Sequence, residues 1–293
     1  MRVTIFGATG LLGKALMREW IGDDVSGLGS NDADIRDPKQ ISNVLRRTQP
    51  DWIVLAAAYT DVDGCERNRE LAFDVNCRGA LNVAQAAKHH SSRLLFLSTD
   101  YVFDGAKNSP YETNDPRVPL NVYGRSKAEA EVQIIQVLPE CCILRTSWLF
   151  GIDSKCFPDT ILKLATSRPA IDVVDDQRGS PTYTADLARA IIRLCRADTK
   201  GIVHATNHGN CSWFEFARDI VATAGLTTVV HPTTSEHFVR PAQRPTYSVL
   251  SSKSLEKHGI EVPSWQDALR RYLLERTSVL PREPSDALPG THR

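Results

Sequence analysis

Short runs of Val, Ile and Leu alternate with segments of helical periodicity through the first half of the chain. The first run, VTIFG, passes directly into the turn Gly7-Ala-Thr-Gly10-Leu-Leu-Gly13 and the amphipathic segment LLGKALMREW. Few folds admit that order. Apolar strands separated by helices of this length need crossover connections, and a crossover returns each strand parallel to the one before it. A parallel sheet is covered on both faces, so its strands are apolar throughout instead of alternating.

The pattern continues with a strand near Val25 to Leu28 and a helix DPKQISNVLRRT, opened by Asp-Pro, with Ile41, Val44 and Leu45 on one face. Next come the strand DWIVLAAA and a long helix from Glu70 to His90 with Ala72, Val75, Ala80, Val83, Ala84 and Ala87 inward. The strand Arg93 to Thr99, a helix from Ser126 to Gln136 and the strand CCILRTSW complete the half. This is a doubly wound parallel sheet of Rossmann type, an α/β fold, with residues 1–150 as a dinucleotide-binding domain. After Trp148 the rhythm changes. Parts of 171–206 are expected to complete the sheet, and 151–276 to build a smaller C-terminal, substrate-binding lobe interleaved with it. The stretch 277–293, with three prolines and little apolar pattern, is expected to be a disordered tail.

Composition excludes several function classes. Lys plus Arg and Asp plus Glu both total 35, so there is no basic field to draw nucleic acid or an anionic membrane. No apolar run approaches the length of a membrane span, and MRVTIFGATG lacks the features of a secretory signal, so the expectation is a cytoplasmic protein. The seven cysteines are an odd number without a CxxC pair, which suggests neither a disulfide framework nor a zinc site. His204 and His208 stand four apart, but HATNH follows a strand and is broken by Asn, so a core or loop role is expected and no metal is assigned.

The turn at Gly7, Gly10 and Gly13 lies where a first strand meets a first helix, and glycine there lets backbone N–H groups approach a pyrophosphate at the helix N-terminus. The spacing is GxxGxxG, so its position carries more weight than the spacing itself. At the end of the second strand stand Gly29, Ser30 and Asn31, with Asp32 next. No carboxylate at the tip repels a 2′-phosphate and no cation binds it, so NADPH is the expected cofactor, with NADH the alternative. Asp34 and Ile35 open the following loop.

Tyr123 and Lys127 in YGRSKAE lie one helical turn apart, where an ammonium can favour the phenolate and lower the tyrosine pKa toward neutral pH. Ser98 and Thr99 end the strand LLFLST on the carboxyl edge of the sheet, where ligands bind in such folds. A hydroxyl there can hold a carbonyl oxygen beside Tyr123.

With these residues the chain resembles the extended short-chain dehydrogenase/reductases, and within them the dTDP-4-dehydrorhamnose reductases. The resemblance runs from Met1 to about Leu273 through GATGLLG, DIRDP, AAAYTDVDGCE, STDYVFDG, PLNVYGRSK, RTSWLFG, DQRGSPTY, CSWFEF, RPAQRP and PSWQDAL. It implies Thr99 as the catalytic hydroxyl, Tyr123 as the acid and Lys127 as its partner and a ligand of the nicotinamide ribose. It places Gly10, Leu11 and Leu12 on the pyrophosphate, Asp34 and Ile35 at the adenosine end, and Ala58, Tyr59 and Thr60 beside the nicotinamide. Thr99, Asp100 and Trp148 would meet the sugar nucleotide, and Arg240 and Arg244 would pair with its diphosphate. Leu55 departs from the family, which commonly has Asn before the AAA run. A homodimer is left open.

The expected reaction is NAD(P)H-dependent reduction of the C4 keto group of dTDP-4-dehydro-6-deoxy-L-mannose to dTDP-L-rhamnose, with Tyr123 protonating the oxygen. Two other readings compete. A non-catalytic regulatory subunit resembling the beta subunit of methionine adenosyltransferase shares much of this apparatus, but DQRGSPTY and RTSWLFG favour the reductase. A sugar-nucleotide epimerase or dehydratase keeps the fold; dehydratases use a further acid after the threonine, and here Thr99-Asp100 is followed by Tyr101.

Overall fold

The computed structural model describes residues 1–152 and 154–279. Six parallel strands form the main sheet: β1 (Arg2–Phe6), β2 (Asp24–Leu28), β3 (Trp52–Leu55), β4 (Arg93–Thr99), β5 (Cys142–Thr146) and β6 (Gly201–His204). Their spatial order is β6-β5-β4-β3-β1-β2. The order reverses at β1, which pairs with β2 on one side and β3 on the other, and a crevice therefore opens beyond the carboxyl ends of these strands.

Successive residues of each strand face opposite layers. On one side Val3, Ile5, Val54, Leu95, Leu97 and Leu144 pack under α1 (Leu11–Glu19) and α5 (Thr184–Arg196). On the other, Phe6, Ile53, Leu55, Phe96 and Ile143 pack under α2 (Pro38–Thr48), α3 (Ala80–His89) and α4 (Val122–Val137). The Asp-Pro start of α2 works as expected, because the Asp37 carboxylate accepts from Lys39 N at 2.8 Å.

The helix expected from Glu70 to His90 is not regular. It runs as Arg69–Phe73, a wider π-helical stretch Asp74–Gly79, and then α3. Within the widened stretch Asn76 is buried and turned toward the loop that follows β3, and π-helical insertions of this kind recur at functional sites.

A third core, rich in aromatic side chains (Phe150, Tyr183, Phe216, Trp265, Tyr272), holds the helices Phe157–Ser167, Trp213–Thr223 and Trp265–Val279 together. Ala170–Val174 pairs there with Val229–Thr233 in a separate two-stranded parallel sheet, so of the stretch 171–206 only Gly201–His204 joins the main sheet. The last helix reaches Val279, and residues 277–279 are therefore helical where a disordered tail was expected; 280–293 lie outside the described residues. Among the described residues no helix is long and apolar enough to cross a membrane.

Candidate active site

A cavity of about 720 Å³ lies at the carboxyl edge of the sheet, between the glycine turn, the loops after β2 and β3, the end of β4 and the start of α4. The three glycines have different reasons to be there. Gly7 has φ +90°, and a Cβ on it would lie 2.5 Å from Ala57 N; a Cβ on Gly13 would lie 2.0 Å from Gly7 O. Both are demanded by the chain itself. At Gly10 the nearest atom to a Cβ is Gly7 O at 3.4 Å, an ordinary contact, and the residue borders the cavity. The protein leaves space where a side chain would fit, and α1 begins at Gly10 without a side-chain cap. The first-turn N–H groups at Leu11 and Leu12 are thus free to meet a pyrophosphate, so the cradle fits a dinucleotide.

Asp34 and Ile35 border the far end, together with Gly29, Ser30 and Arg36. Arg36 was missed because the strand tip at residues 29–32 holds no cation. It lies further along the loop, where its Nε donates to both Asp34 oxygens at 3.0 Å and holds that carboxyl below its ordinary range. The spacing of Asp34 and Arg36 in DIRDP was the available signal. Asp32 instead closes the turn, accepting from Gly29 N at 2.8 Å.

At the reacting end, α4 opens on Asn121, whose side chain accepts from Gly124 N at 2.8 Å and sets Tyr123 in the first turn. Gly124 lets this turn press on the end of β4, since a Cβ there would lie 2.1 Å from Tyr101 O. Tyr123 and Thr99 both border the cavity. Thr99 Oγ1 donates to Asp100 Oδ1 at 3.0 Å and accepts from Tyr101 N at 3.1 Å. The expected acidification of Tyr123 by Lys127 is not found. Burial and then the charge of Asp100 push the phenol upward, so it stays protonated at neutral pH. Lys127 is buried with Nζ 3.9 Å from the centroid of the Phe96 ring, and burial lowers it to about 7 against the pull of Glu131.

Ser98 faces away from Thr99. Its hydroxyl donates to Glu131 Oε1 at 2.5 Å, and Glu131 also takes Arg145 Nη2 at 2.6 Å and Arg117 Nη1 at 3.1 Å. Glu131 is fully buried; burial alone would raise its carboxyl, but the Arg145 hydrogen bonds prevail and hold it below its ordinary value. His204 lies against this group, 3.3 Å from Arg145, and burial drives its imidazole down to about 3, so it is neutral.

Ala58 and Thr60 border the cavity, but Tyr59 does not. Its ring packs with Cys65, Ala72 and Val122, because Asn76 pins its backbone, accepting from Tyr59 N at 2.7 Å and donating to Tyr59 O at 3.0 Å. Asn76 also donates to Ser126 Oγ at 3.0 Å, tying this loop to α4; a polar residue within the apolar register of 72, 76, 80 was its signal. Leu55 is wholly in the core, away from the cavity. Arg240 and Arg244 do not border the cavity either. Both bind Asp63, with Arg244 Nη1 at 2.8 Å and Arg240 Nη1 at 3.3 Å. Asp100 and Trp148 do border it. Trp148 has φ +47°, lies on Gly179, where a Cβ would meet its ring at 2.5 Å, and stacks on Trp213 with centroids 3.5 Å apart. A tryptophan in this backbone region carries strain that functional sites tend to hold. Trp213 is a further wall of the cavity, present in the sequence reading only within the motif CSWFEF.

A glycine cradle at the switch point of a parallel sheet, facing a Tyr-Lys pair and a threonine hydroxyl, defines the extended short-chain dehydrogenase/reductase class of nucleotide-dependent oxidoreductases. Within that class the chain belongs to the family described as the RmlD substrate binding domain, whose model matches residues 1–278. It is 40% identical over 280 residues to the spore coat polysaccharide biosynthesis protein SpsK of Bacillus subtilis, covering 95% of this chain and 99% of that one. It is 39% identical over 297 residues to dTDP-4-dehydrorhamnose reductase of Mycobacterium tuberculosis, covering 97% of each. The crystal structure of dTDP-4-dehydrorhamnose reductase from Bacillus anthracis in complex with NADP superposes with a TM-score of 0.91 at 39% identity, covering 94% of this chain and 99% of that one.

Proposed function

We propose that the chain is a cytoplasmic, NADPH-dependent reductase of the 4-keto group of dTDP-4-dehydro-6-deoxy-L-mannose, giving dTDP-L-rhamnose for cell-surface polysaccharide, with NADH as the alternative cofactor. The observation that carries this is that Tyr123, Lys127 and Thr99 border the same cavity as the Gly10 cradle. The names of relatives at about 40% identity agree with it.

Reduced nicotinamide, when bound, supplies hydride to C4 of the sugar. The rest is the work of this chain. The N–H groups of Leu11 and Leu12 hold the pyrophosphate, Asp34 and Ile35 lie along the adenosine, and Arg36 is placed to take a 2′-phosphate. Ala58 and Thr60 flank the nicotinamide, and Lys127 holds its ribose. The Thr99 hydroxyl, turning from Asp100, donates to the keto oxygen, and Tyr123 delivers its proton there as negative charge develops, an act worth about 10²–10⁴ in rate. Asp100, Trp148 and Trp213 form the wall against the sugar nucleotide.

The test is to add the dTDP-keto sugar to the protein with NADPH or NADH and to follow nicotinamide oxidation together with product. One reduced nicotinamide consumed per sugar reduced supports the reading. A rearranged or dehydrated sugar with no net oxidation would replace it with an epimerase or dehydratase, and no turnover with capture of a synthetase partner would favour the regulatory subunit.

A further inference from the structure

The short helix Val62–Arg67 follows the loop at Ala58 and Thr60, and its first residue, Val62, borders the cavity with them. Asp63 and Glu66 lie three apart on this helix and share a face. Both carboxylates reach the start of α4. Glu66 Oε1 does so directly, accepting from Val122 N at 2.8 Å. Asp63 acts at one remove, through the strap formed by residues 240–244.

The strap belongs to no helix or strand, so its own contacts set its course. Asp63 is the centre of them. Arg244 forks onto the carboxylate, with Nη1 donating to Oδ1 at 2.8 Å and Nη2 to Oδ2 at 3.0 Å. Ala242 N donates to Oδ1 at 3.2 Å and Arg240 Nη1 to Oδ2 at 3.3 Å, while Arg244 Nη1 also donates to Ala242 O at 2.7 Å. Gln243 is thus fixed between two anchored neighbours, and its carbonyl accepts from Asn121 Nδ2 at 2.8 Å. The oxygen of the same buried amide is the cap of α4, accepting from Gly124 N. Asn121 therefore joins the strap to the first turn that carries Tyr123.

We propose that Asp63 is a positioning residue of this site, holding Tyr123 in register with the nicotinamide side of the cavity by fixing the Gln243 carbonyl on Asn121. The inference rests on the reductase reading above. A reacting group displaced by about 1 Å can lose about 10² in rate, so the relation between the phenol and the wall at Ala58, Thr60 and Val62 has to be held closely. The ion pair suits that task. The Asp63 and Arg244 side chains are each only 16% exposed, and Arg244 holds the Asp63 carboxyl down to about 2, so the clasp stays charged at neutral pH.

Steady-state and single-turnover kinetics with NADPH and the dTDP-keto sugar test this. Asp63→Asn should lose about tenfold in kcat, with the KM for NADPH and for the sugar kept within about twofold. Asn121→Asp keeps an oxygen for Gly124 N but offers no N–H to Gln243 O. It should show the same loss, and the double variant no more than either alone. The deciding measurement is made on Tyr123→Phe, whose residual single-turnover rate should stay within about twofold when Asp63→Asn is added, because no phenol is left to position. A general loosening of the fold would lower that rate as well. A further fall in the Tyr123→Phe rate, an unchanged kcat in Asp63→Asn, or a change confined to the KM of the sugar overturns the proposal and leaves the reductase reading intact. If Asp63→Asn does not fold, Asn121→Asp, alone and with Tyr123→Phe, decides by the same outcomes. Wild-type protein inactive on every keto sugar would overturn both.

Discussion

The two sides of the end of β4 are built from neighbouring residues and do different work. On the Ser98 side the carboxylate is closed off: Ser98 touches the cavity, but its hydroxyl is given to Glu131, which also receives Arg145 and Arg117 and is itself fully buried. On the Thr99 side the groups are underfilled, with Thr99, Tyr123, Lys127 and Asp100 bordering a cavity and two of them shifted toward neutrality by burial. A one-residue step along a strand changes faces, so an adjacent Ser and Thr can serve structure and chemistry separately. Environment assigns the carboxylates their roles: matched charge fixes Glu131 as an anion, and its lack frees Asp100 to hold a proton.

That division predicts which property each change should damage. Tyr123→Phe has the largest expected effect, a loss of about 10²–10⁴ in kcat with thermal midpoint and dinucleotide binding kept; an unfolded or fully active variant would erase the distinction between the sides. Glu131→Ala should cost about 3–5 kcal/mol in denaturant unfolding, because it strands Arg145 as a buried charge. A smaller difference is expected between wild type and Asp100→Asn as pH varies. A carboxyl raised in the folded state adds stability below its unfolded value near 3.8, and that stability is lost as pH rises through about 7, so the wild-type advantage should fade across this window. The smallest change is at the far end of the cavity. Arg36→Ala should lower the preference for NADPH over NADH by about tenfold in kcat/KM, or about 1.4 kcal/mol, leaving NADH turnover in place.

Much of the fold could be read in the chain because its signals are local. The apolar strands, the glycine turn between β1 and α1, and the inward faces of α2 and α3 each depend on residues within one or two turns. Tyr123 and Lys127 were legible for the same reason, as their relation is a helical spacing. What escaped depends on distant contact. Arg244 meets Asp63 across 181 positions, which no loop-level reading anticipates. Tyr59 turns inward because Asn76 claims its backbone, and the same contact accompanies the widening of a helix whose apolar register looked regular. The pKa of Tyr123 escaped too, because helical spacing places Lys127 on the same face but says nothing of the desolvation that outweighs it.

The central claim is that the cavity unites a reduced nicotinamide with a sugar ketone and that the protein supplies only the proton. Deuterium at both hydrogen positions of the reactive carbon of NADPH measures this directly when turnover is run in ordinary water. Deuterium on C4 of the product sugar, with its oxygen protonated from solvent, is the predicted result. A product sugar without the label at C4, or label released into water, would contradict it.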